Sequence, residues 1–131
     1  MLKSDLKKKH ILRSKKDIDV ILKSGNRIKS YPILLLYSKE TTNEPECRVL
    51  FTVSKKKQKS AVRRNRIKRL LKESFRLNKL SLYNHCTEEK VKLNIMCIQL
   101  IGDEIPFSTV QKKMISAISK LIQKESNEEN I

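Results

Sequence analysis

Residues 60–79 constrain the fold of this chain more than any other stretch, because their pattern gives a helix two incompatible sides. At about 100° per residue, apolar side chains gather on one side of such a helix and cations on the other. The apolar side consists of Ile67, Leu70, Leu71 and Ser74. The polar side consists of Asn65, Lys68, Arg69, Lys72 and Arg76. The first side predicts packing against a core. The second predicts an anion opposite it, because its cations otherwise repel one another.

The start of the predicted helix indicates binding rather than stability alone. Ser60 is the expected N-cap, since its hydroxyl can accept from a free N–H group of the first turn. Arg63, Arg64 and Arg66 follow, although the helix dipole disfavours cations at this end by roughly a few tenths of a kcal/mol each. A helix selected only for stability would carry acids here. The basic stretch begins earlier, in the lysine-rich residues 55–59.

The charge of the whole chain points to the same class of partner. Its 131 residues include 30 Lys and Arg against 14 Asp and Glu, for a net charge of +16 at pH 7. A balance this basic predicts a polyanionic partner, above all nucleic acid. No apolar run approaches the ~18 residues of a membrane span. Residues 1–10 are basic but are not followed by the apolar region of a signal peptide. We therefore expect a cytoplasmic protein with no membrane partner.

The sequence lacks the patterns of an enzyme that works alone. It has no G-x-S-x-G, no H-E-x-x-H and no carboxylate cluster, and its two glycines, Gly25 and Gly102, are too few for a phosphate-binding loop. Three cysteines without C-x-x-C spacing indicate neither a zinc site nor a disulfide framework. Cys47 and Cys97 lie in apolar segments and are expected in the core. We expect no catalytic residue and no metal site on the protein itself.

The remaining pattern predicts a single α/β domain over residues 14–124. A first helix over residues 14–24 is expected to begin after Ser14 and to end at Gly25. Strands are predicted over residues 27–38, 46–54 and 91–102, the first two as an antiparallel pair, and a last helix over residues 107–124. Residues 80–90 are expected to be irregular. The strand–helix–strand order around the basic helix predicts a crossover that lies across the sheet.

Two charged segments flank the predicted domain. Residues 1–13 form a basic arm, which we expect to be frayed at its start and able to become ordered on RNA. Residues 125–131 form a polar, acidic tail, which we expect to be disordered.

A motif in the basic stretch resembles the protein component of bacterial ribonuclease P. The family pattern is roughly V-S-K-K, a short loop, A-V-x-R-N-R-x-K-R and then E-x-F-R. Here residues 53–56 read V-S-K-K, residues 61–69 read A-V-R-R-N-R-I-K-R and residues 73–76 read E-S-F-R. An asparagine between two arginines, at a fixed distance from S-K-K, is far more specific than a cluster of cations. A weaker match at Leu12, Asp17, Gly25 and Arg27 extends the resemblance to the first helix.

The resemblance implies an α/β fold of the α+β sandwich type, with the element order αβββαβα. A central mixed sheet carries the basic crossover helix, and the crossover in this family is left-handed, against the general rule for such connections. The family also has a third short strand, which we expect between Pro45 and Ser54.

The resemblance also implies that the chemistry belongs to a partner RNA. In this family a large RNA subunit with bound magnesium hydrolyses the phosphodiester that joins the 5′ leader to mature tRNA. The small protein binds that RNA and the single-stranded leader of precursor tRNA. The magnesium is then held by the RNA rather than by a protein site. A DNA partner is not expected, since no helix-turn-helix spacing is present.

Two sets of site residues follow from the resemblance. Arginines of the R-N-R helix can bind phosphates with forked geometry, and lysines act as point charges. The RNA-binding set is Lys55, Lys56, Arg63, Arg64, Asn65, Arg66, Lys68, Arg69, Lys72 and Arg76. The leader is expected in a cleft between the first helix and the sheet, formed by Ile18, Leu22, Tyr37 and Phe51. Because this chain has Ile18 and Leu22 where the family usually has aromatic residues, base stacking is expected to be weaker or moved to Tyr37 and Phe51.

Some alternatives stay open at this level. Asn65 can pair with a base edge or a 2′-hydroxyl, or it can brace the junction between loop and helix. The glycine usual in the S-K-K loop is missing from residues 57–59, so the loop conformation can differ. A ribosomal-type structural protein that binds rRNA would have the same composition, although the asparagine-centred motif favours ribonuclease P.

Overall fold

The computed structural model describes residues 14–129, which form four helices and four strands. The elements in chain order are α1 (Lys15–Ser24), β1 (Asn26–Ser30), β2 (Ile33–Thr41), β3 (Glu46–Val53), α2 (Ala61–Asn78), α3 (Leu80–Glu89), β4 (Val91–Gln99) and α4 (Phe107–Glu129). Ser14 caps α1 by accepting from the Asp17 N–H at 3.3 Å, and Gly25 ends that helix with a φ of 76°. Both helix signals expected from the sequence are therefore confirmed.

The four strands form one mixed sheet in the order β1-β2-β4-β3. β1 pairs with β2, and β2 with β4, in the antiparallel direction, whereas β3 pairs with β4 in the parallel direction. The parallel pair is joined by α2 and α3, so the basic helix does lie in a β–α–β crossover. The predicted α+β sandwich and the order αβββαβα are confirmed, with the crossover divided into two helices at Lys79.

The two faces of the sheet carry different layers. Alternate strand residues such as Leu35, Tyr37, Leu93 and Ile95 point into the main core, where α2, α3 and α4 pack. The helix α1 packs against β2 and β4, but its buried Ile21 lies outside that core. It follows that α1 covers the opposite face. Within residues 14–129, α1 packs on β2 and β4 rather than on β3, so part of this second face is open in the described chain.

Two expectations about the strands are wrong. Residues 27–38 are not one strand but β1 and β2, because Tyr31 and Pro32 form a turn between them. Proline lacks an N–H group and favours turns, so a strand does not continue through it here. The third short strand is therefore β1 rather than a segment between Pro45 and Ser54. The expected pairing of the strand over residues 27–38 with that over residues 46–54 is also wrong, because β4 lies between β2 and β3.

Residues 80–90, expected to be irregular, contain the helix α3. Its buried residues Leu82, His85 and Cys86 have the spacing of one helix face, and Leu82 and Cys86 belong to the main core. Polar residues with low helix propensity around His85 obscure this pattern in the sequence. Packing against β3 and β4 therefore decides the structure of this segment.

The C-terminal prediction is wrong for part of the tail. The last helix does not end at Lys124, because α4 continues to Glu129. Glu125 is 1% exposed and binds two residues of β2, accepting from the Tyr37 hydroxyl at 2.5 Å and pairing with Lys39 Nζ at 2.7 Å. These contacts stabilise the last turns as helix. The predicted N-terminal arm, residues 1–13, lies outside the described residues, as do residues 130 and 131. None of the helices within residues 14–129 has both the length and the apolar composition of a membrane span.

Candidate nucleic-acid interface

The helix α2 presents its cations to solvent because its apolar side is fixed in the core. Ile67, Leu71 and Phe75 are at most 1% exposed, and Ser74 is buried beside them. Ser60 caps the helix as expected, its Oγ accepting from the Arg63 N–H at 3.3 Å. The predicted apolar side is confirmed except at Leu70, which is only half-buried. The opposite side of the helix therefore faces outward.

Six of the expected RNA-binding cations have no side-chain partner within residues 14–129. Their charged groups form neither a hydrogen bond nor an ion pair with another described residue, and all six residues are exposed except Lys68, which is half-buried. We call these six the basic face: Lys55, Lys56, Arg63, Lys68, Arg69 and Lys72. Unpaired cations at this density repel one another, and an anionic partner would relieve that repulsion.

The other three expected cations bind within the chain. Arg64 Nη1 donates to the carbonyl oxygens of Gln58 and Lys59, each at 2.9 Å, so this arginine braces the loop before the helix. Arg66 Nη1 lies 3.0 Å from Glu104 Oε1, in a pair that stays exposed on the surface. Arg76 binds Glu73 one turn back, and the hydrogen bond from Arg76 lowers the pKa of the Glu73 carboxyl. Neither ion pair is buried, so an RNA phosphate could compete for either arginine.

The lysine loop over residues 55–59 is held against the connection between β4 and α4. Ser54 begins the turn, its Oγ accepting from the Lys56 N–H at 3.0 Å. Gln58 Nε2 donates to the Gly102 carbonyl at 3.0 Å. A Cβ atom on Gly102 would lie 2.0 Å from the carbonyl oxygen of Lys57, so only glycine fits this approach. Sequence reasoning missed this role for Gly102, since no local pattern signals a contact between segments so far apart in the chain.

A groove of about 340 Å³ runs between β3 and α2. Its lining residues are Val49, Leu50, Phe51, Asn65, Lys68, Arg69 and Lys72. Side chains of a strand alternate between the two faces, so three consecutive residues can line one groove only along the strand's edge. In the sheet that residues 14–129 form, β3 is an edge strand, bonded to β4 on one side. The groove thus combines a free strand edge with Asn65 and three members of the basic face.

The four residues expected to form a leader cleft do not come together. Ile18 is half-buried and Leu22 is 57% exposed on α1. Tyr37 is 0% exposed in the main core, and Phe51 packs edge-on against Phe75 with ring centroids 5.7 Å apart. Tyr37 and Phe51 therefore lie on the sheet face opposite α1. The strand period of two explains the difference, since a shift of one residue reverses the face.

We call the sheet face that α1 covers the α1 face. Its open part has one row of polar residues and one row of apolar residues. Asn94 on β4 is directly opposite Ser38 on β2 and Arg48 on β3, so these three residues cross the sheet together. The next row consists of Leu36, Met96 and Leu50. Asn94 is 7% exposed, and its Oδ1 has no hydrogen-bond partner among the described residues. A buried, unsatisfied amide is costly. Beyond the alternation of the strands, no sequence pattern signals this polar row.

No metal site is evident in residues 14–129, where no group of three or more His, Cys, Asp or Glu could hold an ion. Cys47 and Cys97 are buried as expected. Burial raises the pKa of the Cys97 thiol to about 12, so this cysteine is inert in the core.

Comparisons with known proteins agree with the motif. The sequence profile described as Ribonuclease P matches residues 6–122. The ribonuclease P protein component of Chlorobium phaeobacteroides is 35% identical over 101 residues, covering 74% of this chain and 69% of that protein. The corresponding protein of Porphyromonas gingivalis is 30% identical over 118 residues, covering 88% of this chain and 85% of that protein.

Solved structures show the same fold. The ribonuclease P protein of Staphylococcus aureus superposes with a TM-score of 0.63 at 20% identity, covering 86% of this chain and 94% of that one. The ribonuclease P protein of Thermotoga maritima gives a TM-score of 0.62 at 22% identity, covering 84% of this chain and 96% of that one. On the sequence matches, this chain belongs to the bacterial ribonuclease P protein component family.

Proposed function

We propose that this chain binds the catalytic RNA of ribonuclease P and the 5′ leader of precursor tRNA, and so assists the maturation of tRNA 5′ ends. The single observation that carries the proposal is the basic face, six cations without a side-chain partner in the described chain. Five of these six cations lie within the motif itself, at residues 53–56 and 61–69, and the spacing of the motif is that of the family. A protein of net charge +16 with this surface gains most from binding a polyanion.

The proposed chemistry lies with the RNA rather than with the protein. The described residues offer no cluster of acids or histidines that fits a magnesium ion. We therefore assign the magnesium to the RNA subunit, where it would supply the metal chemistry of phosphodiester hydrolysis. The protein's contribution is to neutralise phosphates, which brings RNA segments together and favours metal binding nearby.

The basic face is the proposed contact with the RNA subunit. Arg63 and Arg69 can bind phosphates with forked geometry, and the lysines contribute point charges. Arg66 is held by Glu104 in the free protein and would exchange that carboxylate for a phosphate on binding. The motif suggests that Arg64 binds RNA directly. We instead assign it an indirect role, because its hydrogen bonds fix the loop that carries Lys55 and Lys56.

The leader is proposed to bind the open part of the α1 face. Leu36, Met96 and Leu50 give an apolar surface on which bases can lie, in place of Tyr37 and Phe51, which lie on the opposite face of the sheet. Asn94 and Ser38 supply hydrogen-bonding groups beside it, and Arg48, whose Nε lies 3.0 Å from Glu46 Oε1, supplies a cation that would exchange this carboxylate for a phosphate. Apolar contact with bases is weaker than aromatic stacking, which is worth roughly 1–3 kcal/mol per base. Leader binding in this protein is therefore expected to depend on Asn94 and Arg48.

Reconstitution with the cognate RNA tests the proposal. At low magnesium, wild-type protein should accelerate leader removal from precursor tRNA, whereas the protein alone should cut nothing. Arg69→Ala should need more protein to reach the same rate, and Lys112→Ala on the exposed side of α4 is the matched control. Asn94→Ala should weaken binding of precursor tRNA but not of leaderless tRNA. An equal cleavage rate with and without protein would refute the proposed function.

A further inference from the structure

We propose that the groove between β3 and α2 is a binding site for one unpaired nucleotide of the RNA subunit. This inference rests on the proposed function and assigns a specific ligand to one part of the interface. The base would enter the groove along the free edge of β3, and its flanking phosphates would lie against Lys68, Arg69 and Lys72.

The composition of the groove distinguishes a nucleotide from a bare phosphate backbone. Its strand side is formed by the apolar residues Val49, Leu50 and Phe51, and its helix side by Asn65 and three cations. A phosphate gains nothing from the apolar strand side, whereas the flat face of a base does. A volume of about 340 Å³ is in the range of small-molecule sites. A base held in helical stacking cannot enter, so the ligand must be unpaired.

Groups that can form hydrogen bonds with the edge of the base are present on both sides of the groove, on α2 and on β3. Asn65 has an exposed side-chain amide with a donor and an acceptor, and this amide makes no hydrogen bond with another described residue. Along the outer edge of β3, backbone N–H and C=O groups have no strand partner in the described sheet. A base between them can be read on its Watson–Crick edge, which is the usual way proteins recognise unpaired RNA. Asn65 is thereby assigned to base recognition rather than to bracing.

The charges of the groove favour RNA over an extended peptide, which could also pair with a strand edge. Lys68, Arg69 and Lys72 lie at successive positions of one side of α2, with no acid in the lining. Successive phosphates of a strand can contact such a row.

Chemical probing of the assembled complex tests this site. The cognate RNA is probed alone and with saturating protein. The probes are dimethyl sulfate and a carbodiimide, which together react with the Watson–Crick edges of all four bases. With wild-type protein, one unpaired base should lose its reactivity. With Asn65→Ala at saturation, that base should regain reactivity while the rest of the pattern stays unchanged. Asn84→Ala, an exposed asparagine on α3, is the matched control and should behave as wild type.

A second variant separates the base from the phosphates. Lys72→Ala should keep the base protected at saturation but reduce the salt slope of RNA binding by about one unit. If wild-type protein binds the RNA but protects no unpaired base, or if Asn65→Ala leaves the protection intact, the nucleotide site is refuted and the proposed function stands. If wild-type protein does not bind the RNA at all, both are refuted.

Discussion

At the scale of single residues, Gly102 determines where the lysine loop lies. Gly102→Ala would place a methyl group 2.0 Å from the Lys57 carbonyl oxygen and 3.1 Å from the Gln58 backbone nitrogen. Because these are backbone atoms, the loop itself must shift. We expect a loss of about 1–3 kcal/mol in the free energy of unfolding, together with weaker RNA binding, since Lys55 and Lys56 move with the loop. Urea unfolding and filter binding to the cognate RNA measure the two effects.

The other glycine of the chain is the control for this substitution. Gly25 has a φ of 76°, so Gly25→Ala also strains the backbone, but a Cβ there meets nothing within 4 Å. This variant should lose stability and keep wild-type affinity for RNA. Unchanged RNA affinity in Gly102→Ala would show that the position of the loop does not matter.

The ion pair between Arg66 and Glu104 should oppose RNA binding. An exposed pair of this kind is worth about 0.2–1 kcal/mol, and the RNA must break it to bind Arg66. Glu104→Gln should therefore tighten RNA binding by up to about five-fold. Asp103→Asn removes the same charge one residue away, where no ion pair is formed with a described residue. A gain in affinity of equal size in both variants would mean that the pair itself has no effect.

The residue roles that can be predicted from the sequence are local ones. Ser14, Ser60 and Gly25 act within a few residues of their own helix ends, and the structure confirms all three. Gly102, Glu104 and Asn94 act through contacts with distant segments, so a single sequence carries no signal for them. Tyr37 lies on the face opposite to the predicted one, and its strand could not show this because it has apolar residues on both sides.

At the scale of whole elements, the C-terminal turns of α4 depend on one buried carboxylate. Burial alone would raise the pKa of Glu125, but hydrogen bonds from Lys39 and Tyr37 outweigh it and lower the pKa. A carboxyl group whose pKa is lowered by folding stabilises the folded protein at pH values above its ordinary pKa of about 4.3. This contribution is lost as the pH falls through the folded-state pKa. Glu125→Gln should lose about 1–3 kcal/mol of unfolding free energy at pH 7, with less loss at pH 3.

Urea unfolding at both pH values checks this prediction. The wild-type protein should lose more stability between pH 7 and pH 3 than Glu125→Gln does, because the variant has no carboxylate to protonate at this position. Glu88→Gln removes one exposed carboxylate from α3 and should follow the wild-type pH dependence. Parallel curves for wild type and Glu125→Gln would contradict the role assigned to Glu125.

The elements with strong periodicity are the predictable ones. The helix α2 combines a cap with an apolar stripe, and β4 is long and apolar enough to lie between two strands. The division of the first strand and the existence of α3 depend on a turn at Tyr31 and Pro32 and on packing against the sheet. Burial of Glu125 likewise requires the folded chain, since an acidic residue in a polar segment gives no sign of an internal partner.

At the scale of the whole molecule, the basic face groups six cations without a partner among the described residues on one loop and one helix, and this predicts how RNA affinity depends on salt. About six phosphate contacts, one for each residue of the basic face, give a slope of log K against log salt near −4 to −5. Affinity for the RNA subunit should thus fall on the order of 10³-fold between 50 and 200 mM salt. Filter binding across this range measures the slope.

The contribution of each cation should be separable, because the basic face is spread over a loop and a helix that the core holds fixed. Lys68→Ala should reduce the slope by about one unit. Lys112→Ala, an equal loss of charge on α4, should leave the slope unchanged even though it lowers the net charge by the same amount. If both variants change the slope equally, RNA binding depends on net charge alone and the basic face is not the interface. A slope near zero for the wild-type protein would exclude phosphate neutralisation as the source of affinity.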